Sequence, residues 1–241
     1  MMQRFKASLK TSIEAWLDAS CVCCQQQLAI AQHGICSRCR REIKRFAYCG
    51  SCGTELAFDT LHCGKCLTDP PPWQRLVTIS HFQPPLSDLI HTFKFHRQFQ
   101  LDRTLARLLL LAVKQAQRAH DLPLPEVLLP VPLHPLRQWQ RGYNQATLLA
   151  RWLSHWLQIP CDDRLLQRIR YTRAQRALSG KQRRNNLKKA FAINPKISEI
   201  HYRSVAIIDD VITTGATMAE LCRLLQKCGI TQIQVWCLCR T

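Results

Sequence analysis

Eight of the 14 cysteines are arranged as four Cys-x-x-Cys pairs, and this spacing is the strongest chemical signal in the sequence. Each pair places two thiolates on one tight turn, from which both sulfur atoms reach a single tetrahedral Zn²⁺ at about 2.3 Å. Two such turns complete a site with four sulfur ligands, so four turns predict two zinc sites. The predicted ligands are Cys21, Cys24, Cys36, Cys39, Cys49, Cys52, Cys63 and Cys66.

The spacing leaves open how the four turns pair. Pairing the first with the second and the third with the fourth gives two ribbon-like knuckles, whereas alternate pairing gives a cross-braced module. A site closed by four thiolates has no position for water, which predicts structural rather than catalytic metals. Cys23 and His62 are weaker alternative ligands, because neither keeps the Cys-x-x-Cys spacing. The segment is too short to bury much apolar surface, so we expect the metals to supply its folding free energy.

A second group of reactive residue types follows the apolar run 205–208. Four consecutive apolar residues predict a strand that is buried on both faces. The two carboxylates that come next can accept hydrogen bonds from sugar hydroxyls. The threonines and glycine behind them predict a loop that surrounds a phosphate at a helix N-terminus. These residues predict a site for a 5-phosphorylated ribose: Asp209, Asp210, Val211, Thr213, Thr214, Gly215, Ala216 and Thr217.

Two arginines precede this segment at a predicted strand-to-helix loop. Arg137 follows a Pro-Val-Pro-Leu-His-Pro-Leu stretch, and Arg141 begins an Arg-Gly-Tyr-Asn-Gln stretch. Guanidinium groups and amides at such a loop are suited to a pyrophosphate, so we predict that both arginines contact phosphate groups. His134 is the nearest candidate for a general base, although a single histidine beside prolines is more often structural.

The segment 164–203 carries twelve Lys and Arg residues against one acidic residue. Its centre has little apolar periodicity, which predicts a mobile loop that can close over a reacting centre and exclude water. Lys181 and Arg183 are the candidate catalytic cations of this loop, and a solvated run of charges is the alternative interpretation. The same segment supplies the candidate contacts to nucleic acid: Arg168, Arg170, Arg173, Arg176, Arg184, Lys188 and Lys189.

Alternating strands and helices must position these residues. Apolar patterns predict strands at 76–82, 126–133, 165–169, 205–208 and 233–238, and helices at 86–95, 101–119, 143–157 and 216–228. This alternation is typical of an α/β fold, a mostly parallel sheet flanked by helices, in which ligands bind at the carboxyl ends of strands. The proline run 70–72 predicts a linker. We therefore divide the chain into 1–72, an N-terminal helix with a Cys-rich double zinc module, and 73–241, the α/β domain.

Composition restricts the compartment and the partners. The formal net charge of +18 favours phosphate-rich partners such as polyphosphates or nucleic acids. No apolar run approaches the ~20 residues that a membrane helix needs. The first 20 residues lack the features of a cleavable signal, so we expect a cytoplasmic protein without a membrane span. Cysteines stay reduced in that compartment, which favours metal binding over disulfides.

The segment 205–217 resembles, at every position, the motif with which type I phosphoribosyltransferases bind 5-phosphoribosyl 1-pyrophosphate (PRPP). Together with the four Cys pairs, the proline linker, Val-Pro-Leu-His and Arg-Gly-Tyr-Asn-Gln, it is similar to the ComF/GntX family over nearly the whole chain. The resemblance implies a type I phosphoribosyltransferase-like fold, with Asp209 and Asp210 on the ribose hydroxyls and 213–217 on the 5′-phosphate. It also implies a role in natural transformation, after single-stranded DNA has entered, with a DNA-uptake helicase and a DNA-processing protein as partners.

Two classes of function remain open at this point. An enzyme would displace pyrophosphate from C1 of PRPP, with Mg²⁺ between the pyrophosphate and the ribose hydroxyls. Its catalytic groups would be Asp209, Asp210, Arg141, Lys181 and Arg183, and no residue indicates the acceptor. A binding module would keep the phosphate loop in order to sense PRPP or hold single-stranded DNA. Its candidate base-stacking residues are Trp73, Trp139, Tyr143 and Tyr171.

Overall fold

The computed structural model describes residues 20–96, 98, 100–170, 189–197 and 199–241. In chain order the helices are α1 (Ser37–Glu42), α2 (Gly64–Thr68), α3 (Leu86–Phe95), α4 (Leu101–His120), α5 (Pro135–Arg141), α6 (Gln145–Leu157) and α7 (Ala216–Lys227). The strands are β1 (Arg75–Val77), β2 (Ser80–His81), β3 (Val127–Pro130), β4 (Leu166–Arg168), β5 (Phe191–Ile193), β6 (Ser204–Ile212) and β7 (Gln232–Arg240). A short 3₁₀ turn covers Ala31–His33.

The central sheet is parallel and has the order β1–β7–β6–β3, with β2 also paired to β7. The predicted α/β class with a mostly parallel sheet is therefore confirmed. Parallel strands need crossover connections, which the helices between them provide. β4 and β5, which both lie within the basic segment 164–203, form a separate antiparallel pair.

The sheet has apolar layers on both faces, as the continuous apolar run in β6 requires. Val205 and Ile207 belong to a cluster with the inner side of α7 and with β4 and β5. Ala206 and Ile208 belong to the opposite cluster, which contains the buried sides of α3, α4 and α6. Side chains of successive strand residues point to opposite faces, so one strand contributes to both layers.

Part of the Cys-rich segment packs into the second of these layers. Leu28, Ile35 and Ile43 are buried in the same cluster as Leu105 and Leu109 of α4. The Cys-rich segment therefore shares a core with the α/β sheet, and the boundary near residue 72 stays a prediction. The predicted N-terminal helix lies outside the described residues. None of the helices in the described ranges combines the length and apolar character needed to cross a bilayer.

The predicted elements differ from the structure mainly at their ends. The strand predicted at 76–82 is divided into β1 and β2. β6 extends four residues beyond the predicted 205–208, to Ile212, because its partner β7 continues alongside it.

Helix α5 was not predicted, because the proline-rich sequence around it reads as a loop. Pro135 is its first residue, where a missing N–H is tolerated. The ring of His134 caps this helix by accepting a hydrogen bond from the Leu136 amide, which favours the structural interpretation of that histidine. β5 was not predicted either, because its three residues are too few to show a hydrophobic pattern.

Candidate functional site

The eight paired cysteines form two separate clusters, and the structure thereby resolves their pairing. Cys21, Cys24, Cys36 and Cys39 form the first cluster, and Cys49, Cys52, Cys63 and Cys66 form the second. Pairing is therefore sequential, first turn with second and third with fourth. Within each cluster the sulfur atoms all lie within 4.8 Å of one another.

Sulfur spacing in both clusters fits a tetrahedral metal. Cys24 Sγ lies 3.8 Å from Cys36 Sγ, and Cys52 Sγ lies 3.7 Å from Cys63 Sγ. A tetrahedron with metal–sulfur bonds of about 2.3 Å has sulfur atoms about 3.8 Å apart. The two clusters can therefore each hold a zinc ion through four thiolates, and their donor sets leave no position for a reacting water.

Backbone amides near each cluster point at its sulfur atoms. The Cys36 amide donates to Cys21 Sγ at 3.3 Å, and the Cys63 amide donates to Cys49 Sγ at 3.1 Å. Cys36 and Cys63 are also the N-cap residues of α1 and α2, where the helix dipole favours negative charge. These donors stabilise thiolates, as a metal site requires.

The thiols of one cluster cannot all ionise without a cation. Burial opposes ionisation at Cys21, but hydrogen bonds from backbone amides lower the pKa of this thiol. Burial and the neighbouring sulfur atoms raise the pKa of Cys39 and of Cys66. Four negative charges in so small a volume require a compensating dication, so the donor set fits Zn²⁺.

The two weaker alternative ligands lie outside the clusters. Cys23 is partly buried beside the first cluster but is not one of its four members. His62 Nδ1 lies 2.8 Å from Ser51 Oγ, and Cys63 occupies the ligand position. The eight residues with Cys-x-x-Cys spacing are therefore the ones that form the two clusters.

The two carboxylates of the candidate site lie within β6 rather than on a loop behind it. Because side chains alternate along a strand, Asp209 and Asp210 point to opposite sides of the sheet. On the α3 side, Lys94 Nζ pairs with Asp210 Oδ1 at 2.9 Å, and both side chains are largely buried. The Asp210 amide donates to Asp209 Oδ1 at 2.9 Å. Burial and the charge of Asp210 raise the pKa of Asp209 above its ordinary value.

Arginines from two elements, α5 and β4, lie near these carboxylates. Burial lowers the pKa of Arg141, and the charge of Asp210 opposes that shift. Burial also lowers the pKa of Arg168 to about 10, with Arg137 adding to the shift and Asp209 opposing it. Arg141 and Arg168 therefore lie within electrostatic range of the carboxylates, and Arg137 lies within range of both arginines. We predicted Arg168 as a nucleic-acid contact, and this stays a prediction; the structure places Arg168 within electrostatic range of Asp209, beside the candidate phosphoribose site.

Arg141 is held in a fixed orientation. Its Nη1 donates to Gln145 Oε1 at 3.0 Å, and its guanidinium lies 5.3 Å from the centre of the Phe95 ring. Phe95 ends α3, one residue after Lys94, so one helix end positions two of the cations of the site. Lys94, Arg141 and Arg168 thus lie near the two carboxylates, which leaves an excess of positive charge suited to a polyphosphate.

The predicted phosphate loop connects β6 to α7. Gly215 is the N-cap residue of α7 with φ 72°, a left-handed conformation that favours glycine. Gly215 has no side chain with which to cap the helix, so an external anion can satisfy its first amides. Thr213, Thr214, Gly215 and Ala216 line a cavity of about 700 Å³, and Thr217 follows in the first turn of α7.

Trp73 connects this loop to the second cysteine cluster. Its indole N–H donates to the carbonyl of Ser51 at 2.7 Å, between two cysteines of the cluster. A Cβ added to Gly215 would lie 3.0 Å from Trp73 Cη2. Trp73 is 7% exposed, so it supports the loop and cannot stack on a base, contrary to one of our candidate roles.

Some of the remaining candidate residues lie in the part of the chain that the structure describes, and others lie outside it. Lys181, Arg183, Arg173, Arg176, Arg184, Lys188 and Tyr171 lie outside the described residues. Arg170 and Lys189 are exposed. Among the candidate stacking residues, the hydroxyl of Tyr143 donates to the Phe93 carbonyl, whereas Trp139 is 83% exposed.

Lys94 and the supporting role of Trp73 were missed by sequence reasoning. Lys94 gives no signal, because one lysine near the end of a predicted helix is ordinary. Trp73 directly follows the proline run, which we interpreted only as a linker. The location of Arg168 beside Asp209 depends on how β4 packs against the sheet, which no local pattern encodes.

Comparison with known proteins agrees with this geometry. Residues 141–241 match the family of phosphoribosyl transferase domains. The fold and the site thus define a type I phosphoribosyltransferase-like α/β protein with a Cys-rich N-terminal region. Over 220 residues, 91% of this chain and 96% of the relative, the sequence is 53% identical to competence protein F of Haemophilus influenzae. The chain belongs to the ComF/GntX family.

Further relatives extend the comparison to other bacteria. The DNA utilization proteins YhgH of Salmonella typhi and of Escherichia coli K12 are each 45% identical to this chain over 222 residues. Those alignments cover 92% of this chain and 96% of each relative. The likeness therefore includes the Cys-rich segment as well as the phosphoribosyl transferase domain.

Proposed function

We propose that this protein handles incoming single-stranded DNA in the cytoplasm during natural transformation and that its phosphoribosyltransferase-like domain binds PRPP. The names of its relatives, competence protein F and DNA utilization protein, support the DNA role. The carboxylate pair of β6 beside the phosphate loop, with Lys94, Arg141 and Arg168 near it, supports the PRPP role. A DNA-uptake helicase and a DNA-processing protein are the proposed partners.

The residues of the site match the parts of PRPP. The amides and hydroxyls of 213–217 suit a 5′-phosphate, and the β6 carboxylates suit ribose hydroxyls. Arg137, Arg141 and Arg168 suit the pyrophosphate, since guanidinium groups form charge-assisted hydrogen bonds with phosphate oxygens. Carboxylate and phosphate oxygens are also the ligands that Mg²⁺ prefers, so the site fits PRPP accompanied by Mg²⁺.

Ligand-induced stabilisation tests the PRPP assignment. PRPP with MgCl₂ at about 100 times its Kd should stabilise the protein by about 2.7 kcal/mol. For a chain of this size that corresponds to a rise in Tm of roughly 5–10 °C. The double variant Asp209→Ala/Asp210→Ala should lose the rise, whereas Asp88→Ala, an exposed aspartate on α3, should keep it. A wild-type Tm that PRPP leaves unchanged would refute the site assignment.

The DNA role needs a separate measurement. Anisotropy of a labelled oligothymidylate should report binding that weakens steeply as salt rises, because contacts with phosphates release counterions. Wild-type protein that binds no oligothymidylate at low salt would refute direct DNA binding while leaving the PRPP result untouched.

Turnover of PRPP is the second candidate function. The excess of cations around the site favours turnover, because negative charge develops on the departing pyrophosphate. The C1–O bond to pyrophosphate would break as a bond from C1 to an acceptor nucleophile forms. Release of pyrophosphate with a panel of acceptors, and its loss in Arg141→Gln, tests this. Binding of PRPP without pyrophosphate release from any acceptor would favour the sensing role.

A further inference from the structure

A basic groove lies between the first cysteine cluster and helix α4, away from the phosphoribose site. One wall follows α1 and the residues after it, and the other is the C-terminal half of α4. The groove has a volume of about 860 Å³. Its charged lining residues are Arg40, Arg41, Lys44, Arg45, Lys114 and Arg118.

Among the described residues, the cations of this groove have no acidic counterpart within it. All six are exposed, and no acidic residue is among the described residues that line the groove. Glu42 lies between them in sequence, but its carboxylate points to Arg38, with Nε at 3.9 Å. Burial lowers the pKa of Arg107, and the positive charge of Arg40 lowers it further. Six unbalanced cations in one concave surface favour an anionic ligand.

The floor of the groove favours a polyphosphate backbone over a protein segment. Its aliphatic residues Ile43, Ile79 and Leu108 are each less than 10% exposed, and only Leu111 is half-buried. An amphipathic acidic helix would need an apolar surface to cover, and this floor offers little. The part of the lining that the structure describes has no aromatic ring on which bases could stack, so contacts would be to phosphates and independent of sequence.

We propose that this groove binds the phosphate backbone of single-stranded DNA. The inference rests on the proposed DNA role and locates it at a surface formed jointly by the Cys-rich segment and the α/β domain. The basic segment 164–203, by contrast, borders the phosphoribose site through Arg168. The protein thus has two anion-binding regions, one for each proposed ligand.

Charge-neutralising variants of the two walls test the proposal. For single strands, each phosphate contact contributes about −0.7 to the slope of log K against log salt concentration. Arg41→Gln/Lys44→Gln and Lys114→Gln/Arg118→Gln should each lower the magnitude of that slope by about 1.4, measured with labelled oligothymidylate. The control Lys196→Gln/Lys227→Gln removes the same charge from exposed positions outside the groove and should retain the wild-type slope.

Each result either supports the proposal or overturns it. The proposal is supported if both wall variants show a smaller slope of log K against log salt concentration and keep the PRPP-induced rise in Tm, since the two sites are separate. It is overturned, with the DNA role intact, if wall and control variants bind oligothymidylate equally. If wild-type protein binds poly-glutamate but not oligothymidylate, the groove is a protein-docking surface and the DNA role itself fails.

Discussion

Replacing Gly215 with alanine should damage the phosphate loop through two separable effects. The first is backbone strain, because φ at this residue is 72°, and a left-handed conformation costs an L-residue about 1–2 kcal/mol. The second is contact with Trp73, since the new Cβ would lie 3.0 Å from Cη2 of the indole. Trp73 cannot easily move away, because it is buried and its N–H is bonded to the Ser51 carbonyl.

The size of the effect follows from these contacts. Displacing the indole would weaken a buried hydrogen bond whose net contribution is about 0.5–1.5 kcal/mol. With the backbone strain, the total loss for Gly215→Ala is about 2–3 kcal/mol. For a chain of this length, that lowers Tm by roughly 5–10 °C. We also expect weaker PRPP binding, because the first amides of α7 shift away from the phosphate.

A double-mutant cycle separates the two effects. Phenylalanine lacks the Cη2 atom, so Trp73→Phe removes the contact but leaves the strain at residue 215. Gly215→Ala should therefore cost about 1 kcal/mol less in the Trp73→Phe background than in wild type. Urea unfolding of the four proteins measures this difference. Strictly additive effects would refute the claim that Trp73 supports the loop, and a neutral Gly215→Ala would refute both parts of the reasoning.

Four further substitutions test other parts of the protein. Cys52→Ser and Cys24→Ser should each release one zinc ion, but only Cys52→Ser should weaken PRPP binding, as metal analysis and thermal shifts would report. Asp209→Asn should stabilise the protein at pH 7 by roughly 1 kcal/mol. Because the pKa of Asp209 is raised in the folded state, the wild-type protein loses stability as pH rises above about 4. The extra stability of Asp209→Asn over wild type should therefore vanish at lower pH. Lys94→Met should destabilise by about 3 kcal/mol, because it removes the ion-pair partner of the buried Asp210 carboxylate, whereas Lys196→Met, at an exposed position, should be neutral in urea unfolding.

The sequence was most informative where the chemistry is local. Cys-x-x-Cys spacing identified all eight cluster residues, because two ligands on one turn leave a short-range pattern. The apolar run 205–208 identified the central strand, because burial on both faces demands it. Pairing of the cysteine turns was not encoded locally, since it depends on how the turns fold against the rest of the chain.

The surroundings of the candidate site were predictable only in part. Arg137 and Arg141 were predicted from their position at a strand-to-helix loop; Arg141 lies within electrostatic range of the carboxylates, and Arg137 lies within range of Arg141. The predicted ends of β6 were wrong. The strand extends to Ile212 because it is hydrogen-bonded to β7 and not because of its residue types. Lys94 reaches Asp210 through the packing of α3 on the sheet, a long-range contact without a local signature.

The two cysteine clusters have the same ligand arrangement but different neighbours, and this difference predicts different consequences of metal loss. Gly34 lies in the knuckle of the first cluster, and a Cβ added there would lie 1.8 Å from Thr104 Oγ1 of α4. The first knuckle therefore packs closely against α4 and positions one wall of the basic groove. Ser51, in the second, is bonded to Trp73 and through it supports Gly215. Loss of the first metal should therefore weaken DNA binding, and loss of the second should weaken PRPP binding. Equal losses of both activities in Cys24→Ser and Cys52→Ser would mean instead that the Cys-rich segment unfolds as one unit.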